Sequence, residues 1–78
     1  MTYEMQKQVK EIANKYNSNV TFLSNDHIIV EMYRIGLTVM VSYKYYFVVD
    51  SIIPTEDYIT ADALRMIADF VDELNKYE

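Results

Sequence analysis

Seventy-eight residues that are 51% apolar, with eight tyrosines, one glycine and one proline, are too few for a second domain and too hydrophobic for a disordered chain. The formal net charge is -5 and no cysteine is present, so neither a disulfide nor a thiolate metal site can staple the fold. That acidity disfavours direct binding to nucleic-acid phosphates, which needs clustered lysine and arginine, and it favours a protein partner with a basic surface.

The position of the charge says more than its sum. Residues 1–19 hold three lysines against two acids. Residues 54–78 hold seven acids (Glu56, Asp57, Asp62, Asp69, Asp72, Glu73 and Glu78) against Arg65 and Lys76, so the C-terminal third carries the acidity. Met1 opens into charged, periodic sequence, so no secretory leader is expected. The absence of cysteine suits a reducing cytoplasm. Apolar runs are only a few residues long, far short of a membrane span, and no membrane partner is expected.

In chain order, the first expected element is a helix from Tyr3 to Tyr16. Met5, Val9, Ile12, Ala13 and Tyr16 share one face, and Thr2 is a suitable N-cap. Asn17-Ser18-Asn19 is a cluster of poor helix formers that ends it. The period then shortens to two. Strands are expected at Val20 to Ser24, His27 to Arg34, Leu37 to Tyr43 and Phe47 to Ile53, with a turn at Asn25-Asp26.

Ile35-Gly36 offers a two-residue hairpin turn, although isoleucine resists the positive φ that a type I′ turn requires; a slightly longer loop is the alternative. The short turn would pair Met32 with Val39, Val30 with Val41 and Ile28 with Tyr43, all apolar and all on one face. The opposite face would then carry Val20, Phe22, Ile29, Tyr33 and Met40, together with Val48 and Ile52. Pro54 stops the last strand. Thr60 caps a second helix, with Ile59 and Leu64 at the spacing of a hydrophobic staple. Leu64, Ile67, Ala68, Val71 and Leu74 are its expected buried stripe, widened by Met66, Phe70 and Tyr77. The fold class is therefore α+β. An N-terminal helix, a four-stranded antiparallel meander and a C-terminal helix follow in order, with both helices on one face of the sheet.

No constellation of catalytic residues is evident. His27 is the lone histidine, and one histidine with scattered acids falls short of a zinc or iron site. No serine, histidine and acid stand at a spacing that suggests a triad. The paired carboxylates Glu56-Asp57 and Asp72-Glu73 lie in a polar loop and on a solvated helix face, not where burial would separate their pKa values. One glycine excludes glycine-rich phosphate loops. The chain reads as a non-enzymatic protein, and no cofactor is expected.

Two surfaces remain. One is the tyrosine-rich hairpin Tyr43, Tyr45 and Tyr46; the acids Glu56, Asp57, Asp62, Asp69, Asp72 and Glu73 are further candidates for contact with a basic partner. Tyrosine gives large amphipathic contact area at low entropic cost. The other is the outer sheet face, where Phe22, Ile29, Tyr33 and Met40 would make an apolar patch suited to a homodimer.

In its short length, its acidic C-terminal helix (Asp62, Asp69, Asp72, Glu73) and its exposed-looking Tyr43, Tyr45 and Tyr46, the chain resembles the small proteins that phages encode to block host enzymes, anti-CRISPR proteins among them. The resemblance implies an inhibitor seated on a basic surface of a host nuclease, its acids standing in for phosphates. Lys7, Lys10 and Lys15 of the first helix depart from a uniformly acidic mimic and point to a local acidic patch. The expected function is that of an inhibitor or regulator acting through protein binding; the alternative is a structural subunit that associates with itself.

Overall fold

A computed structural model describes residues 1–76, so Tyr77, assigned above to the second helix's stripe, lies outside the described residues. The elements are α1 (Tyr3–Lys15), β1 (Ser18–Phe22), β2 (His27–Met32), β3 (Leu37–Tyr43), β4 (Phe47–Pro54) and α2 (Ala61–Asn75). The strands form one antiparallel sheet in the order β1-β2-β3-β4. Residues from both helices join the inward side chains of the sheet in a single core. The α+β meander expected from the sequence is the fold observed.

Local chemistry starts and stops these elements. Thr2 and Thr60 accept hydrogen bonds from the amides of Met5 (3.2 Å) and Ala63 (3.1 Å), each satisfying one of the free N–H groups at a helix start. Asn17, at φ 51°, ends α1 in the left-handed region that asparagine tolerates. Asn25 and Asp26 both take positive φ, 61° and 58°, and reverse the chain between β1 and β2.

The β2–β3 connection is where the short turn is overturned. The loop comprises residues 33–36, with Met32 pairing Leu37, Val30 pairing Val39 and Ile28 pairing Val41. In this longer loop only Gly36 takes a positive φ, 62°, so isoleucine avoids the conformation it resists. The register moves by two residues, an even number, and every side chain keeps its face. Ile28, Val30, Met32, Val39 and Val41 are all fully buried.

Three further placements differ from expectation. Val20 and Phe22 lie opposite Val30 and Ile28, and residues paired across a ladder share a face. Phe22 therefore belongs to the core side, where Lys10 Nζ of α1 stands 5.6 Å from its ring centre, and not to the outer face. A β-bulge between Met40 and Val41 leaves Asp50 unpaired and inverts the alternation beyond it. Ile52 consequently faces inward opposite Val39, and Ile53 takes the outer position. In α2 the buried stripe is Ala63, Ile67, Phe70 and Leu74, whereas Leu64 and Ala68 are exposed. Apolar residues cover a wide arc of this helix, and the sheet and α1 close on one edge of that arc. Phe70 is its centre.

Candidate functional site

Tyr43 and Phe47 are cross-strand partners with ring centres 4.7 Å apart; Phe47 is buried and Tyr43 half-buried. Tyr43 thus roots the hairpin in the core. Tyr45 and Tyr46, in the connection at residues 44–46, are 78% and 59% exposed and form its tip.

The α2 acids divide into three groups. Glu73 is committed inside the fold: it pairs with Lys15 and accepts a hydrogen bond from the Tyr16 hydroxyl at 3.0 Å. The Lys15 hydrogen bond holds its carboxyl below the usual glutamate range, with the Tyr16 bond adding to the effect against a desolvation penalty. Tyr16 is shifted upward, first by burial and then by its bond to Glu73, and its ring meets Phe70 edge-on at 5.4 Å. Asp62 is exposed but paired with Arg65 at 2.6 Å. Asp69 and Asp72 are exposed, one turn apart on the outward face.

One side chain joins this helix to the tyrosine tip. Asn75, at the end of α2, accepts from the Phe47 amide at 2.7 Å and donates to the Phe47 carbonyl at 3.1 Å. Both bonds fall on the residue next to Tyr46, so the end of α2 and the hairpin tip form one surface. Asp72 lies one turn back from the clamp, roughly 5 Å along the helix. The signal for this contact in the sequence is a single asparagine, which local periodicity cannot read. Glu56 and Asp57 are not part of the same surface. They follow Pro54 at the far end of β4, about 23 Å from Phe47 at the usual rise of a strand.

The outer sheet face is uncovered by either helix, because both contribute to the core on the opposite side. Ile29 and Met40 pair at its centre and are half-buried. Val48 and Ile53 extend the apolar part along β4, where both are exposed, while Asn19, Thr21, Glu31, Thr38, Ser42 and Ser51 make the rest of the face polar. Tyr33 is exposed and stands in the β2–β3 loop at the end of the strand.

The bulge also assembles a group that sequence spacing did not reveal. Asp50 Oδ1 accepts from Ser42 Oγ at 3.1 Å, while Asp50 Oδ2 stands 3.7 Å from His27 Nε2. His27 and Ser42 are directly paired across β2 and β3. Activating a serine requires the imidazole to take the hydroxyl proton, with the acid behind the imidazole. Here the hydroxyl donates to the acid, which makes the group a polar cross-strand bridge. Among the described residues no group of three or more His, Cys, Asp or Glu could hold a metal ion, and no helix is long and apolar enough to cross a membrane.

No family model matches the chain, and neither a curated protein nor a solved structure matches it.

Proposed function

We propose that this chain is a non-enzymatic protein-binding module that inhibits or regulates a partner with a basic surface. The binding surface is the Asp69–Asp72 face of α2 together with Tyr45 and Tyr46 at the hairpin tip. The observation that carries this reading is the Asn75–Phe47 clamp, which makes an acidic helix end and two exposed aromatics contiguous. The two parts have complementary physical roles. Carboxylates attract and orient a cationic surface, while tyrosines supply the apolar contact area that holds it. A phosphate-binding surface, such as that of a nuclease, has the required charge. The three lysines of α1 outnumber its two acids, so that helix adds nothing to the acidic character.

Affinity capture from a host lysate with the wild-type chain, the pair Asp69→Lys with Asp72→Lys, and the pair Tyr45→Ala with Tyr46→Ala tests this reading. The wild type is expected to retain a basic protein at about 50 mM salt and to release most of it at about 500 mM, as screening shortens the range of the charges. Each double variant is expected to retain at least tenfold less, roughly 1.4 kcal/mol. Retention unaltered in both variants overturns the reading.

A further inference from the structure

Helix α2 carries two apolar stripes of similar spacing, about one residue out of step. The first, Ala63, Ile67, Phe70 and Leu74, is buried in the core. The second is Ala61, Leu64, Ala68 and Val71, stepping by three, four and three residues. Ala61, Leu64 and Ala68 are exposed and Val71 is half-buried, Leu64 showing 48% of its surface. Alternating steps of three and four are those of a seam between two packed helices.

Two contacts fix the direction in which this second stripe points. Glu73 reaches α1, whereas Asn75, about 200° further round the helix, clamps β4. Leu64, Ala68 and Val71 lie near the azimuth of Asn75, on the β4 side of α2. Strand β4 is the last strand of the sheet, so no further element of the chain stands beyond that side among the described residues.

We propose that a second copy of this chain occupies this position, its α2 packing antiparallel against the first about a two-fold axis near Ala68. The stripe is complementary to itself in shape. Alanine at the crossing point allows close approach of the two helices, and Leu64 of each copy meets Val71 of the other. It is also complementary in charge. Arg65 and Asp72 each directly follow a seam residue and flank the seam on its solvent side. In an antiparallel pair such flanking positions face each other, so Arg65 of each copy meets Asp72 of the other, twice per dimer. Among the described residues of one chain Arg65 pairs with the neighbouring Asp62, in an exposed pair that is readily exchanged. A parallel arrangement would bring no such opposite charges together. This contact is separate from the proposed function but shares Asp72 with the proposed partner surface, and it is measured without any partner present.

Sedimentation equilibrium of the full chain from about 10 µM to about 1 mM tests it, a range that spans weak and moderate self-association. The mass is expected to rise from one chain toward two. Ala68→Arg, at an exposed position, is expected to keep the fold by far-ultraviolet circular dichroism and to remain a single chain throughout. Arg65→Asp and Asp72→Arg are each expected to weaken dimerisation about tenfold by opposing like charges. The double variant, which exchanges the two charges, is expected to recover to within about threefold of the wild type. A single-chain mass at every concentration overturns the proposal. So does a dimer that survives Ala68→Arg, including one that is broken instead by Met40→Asp on the outer sheet face. A double exchange no tighter than the single variants also overturns it.

Discussion

The two helices occupy the same face of one sheet and differ in what they leave uncovered. Helix α1 places Val9, Ile12 and Ala13 in the core, and the rest of its surface is dominated by Glu4, Lys7, Lys10, Glu11 and Asn14. Apart from Tyr3, exposed in the first turn, its apolar residues are used up by the fold. Helix α2 buries Ala63, Ile67, Phe70 and Leu74 and still shows Leu64, Ala68 and part of Val71 on one flank, with Asp69 and Asp72 on another. A helix with a single apolar stripe is satisfied by one contact; a helix with two has a side that folding alone does not require. Helix α1 completes the core, whereas α2 completes it and leaves a second apolar flank uncovered.

The largest expected effect tests that separation within α2 itself. Phe70 is fully buried and edge-on to Tyr16, so Phe70→Ala is expected to cost about 3–5 kcal/mol through lost burial and the cavity left behind. In a domain of this size such a loss takes most of the stability. Leu64→Ala, one stripe away, is expected to change stability by less than about 1 kcal/mol, because half of that side chain is already in water. Urea denaturation of both variants under dilute, single-chain conditions gives the two numbers. Equal losses would erase the distinction between a core stripe and a docking stripe.

Much of this was legible in the sequence, and the failures have physical causes. Alternation gave the four strands, and the two threonine caps announced both helix starts. The even register shift at Gly36 left the core set intact even though the turn was longer than two residues. The outer face was misread at Ile52, because a bulge at Asp50 has no signature in the alternation, and at Phe22, because β1 was assigned without its register to β2. Two overlapping stripes in α2 cannot be told apart on a helical wheel. Only the position of α1 and the sheet decides which is buried. Long-range side-chain contacts, such as Asn75 to Phe47 and Glu73 to Tyr16, lie 28 and 57 residues apart and leave no local trace.

A smaller effect is expected at the clamp. The Asn75 amide satisfies both backbone groups of Phe47 on the edge of the sheet, where unpaired groups invite another strand. Asn75→Ala is expected to destabilise by about 1–3 kcal/mol, the usual cost when part-buried polar groups lose a partner. It should also speed amide exchange at Phe47 while leaving the middle of β2 and β3 protected, since the loosened region is the end of β4 nearest the tyrosine tip. Hydrogen exchange read residue by residue checks it. Uniform acceleration across the sheet would mean that the clamp supports the whole fold and does not specifically hold the hairpin tip against α2.

The smallest effect concerns the lock between the helices. Glu73 titrates below its ordinary range because Lys15 and Tyr16 stabilise the carboxylate, so the folded state binds that proton less tightly than the unfolded chain does. The stabilisation is complete above the ordinary glutamate value of about 4.3 and is lost as the pH falls through the lower folded value. Tyr16, shifted upward, acts at the other limit: its contribution holds at neutral pH and is lost as the pH rises past about 10, where the unfolded chain ionises first. Glu73→Gln keeps an acceptor for the Tyr16 hydroxyl and removes the charge. Relative to this variant, the wild type is expected to lose more stability between about pH 6 and pH 3, and the difference should shrink with added salt because Lys15 is solvent-exposed. Parallel acid limbs in wild type and variant would show that α2 is held against α1 by the Tyr16–Phe70 packing alone, and the carboxylate would then be free to join Asp69 and Asp72 on the outward face.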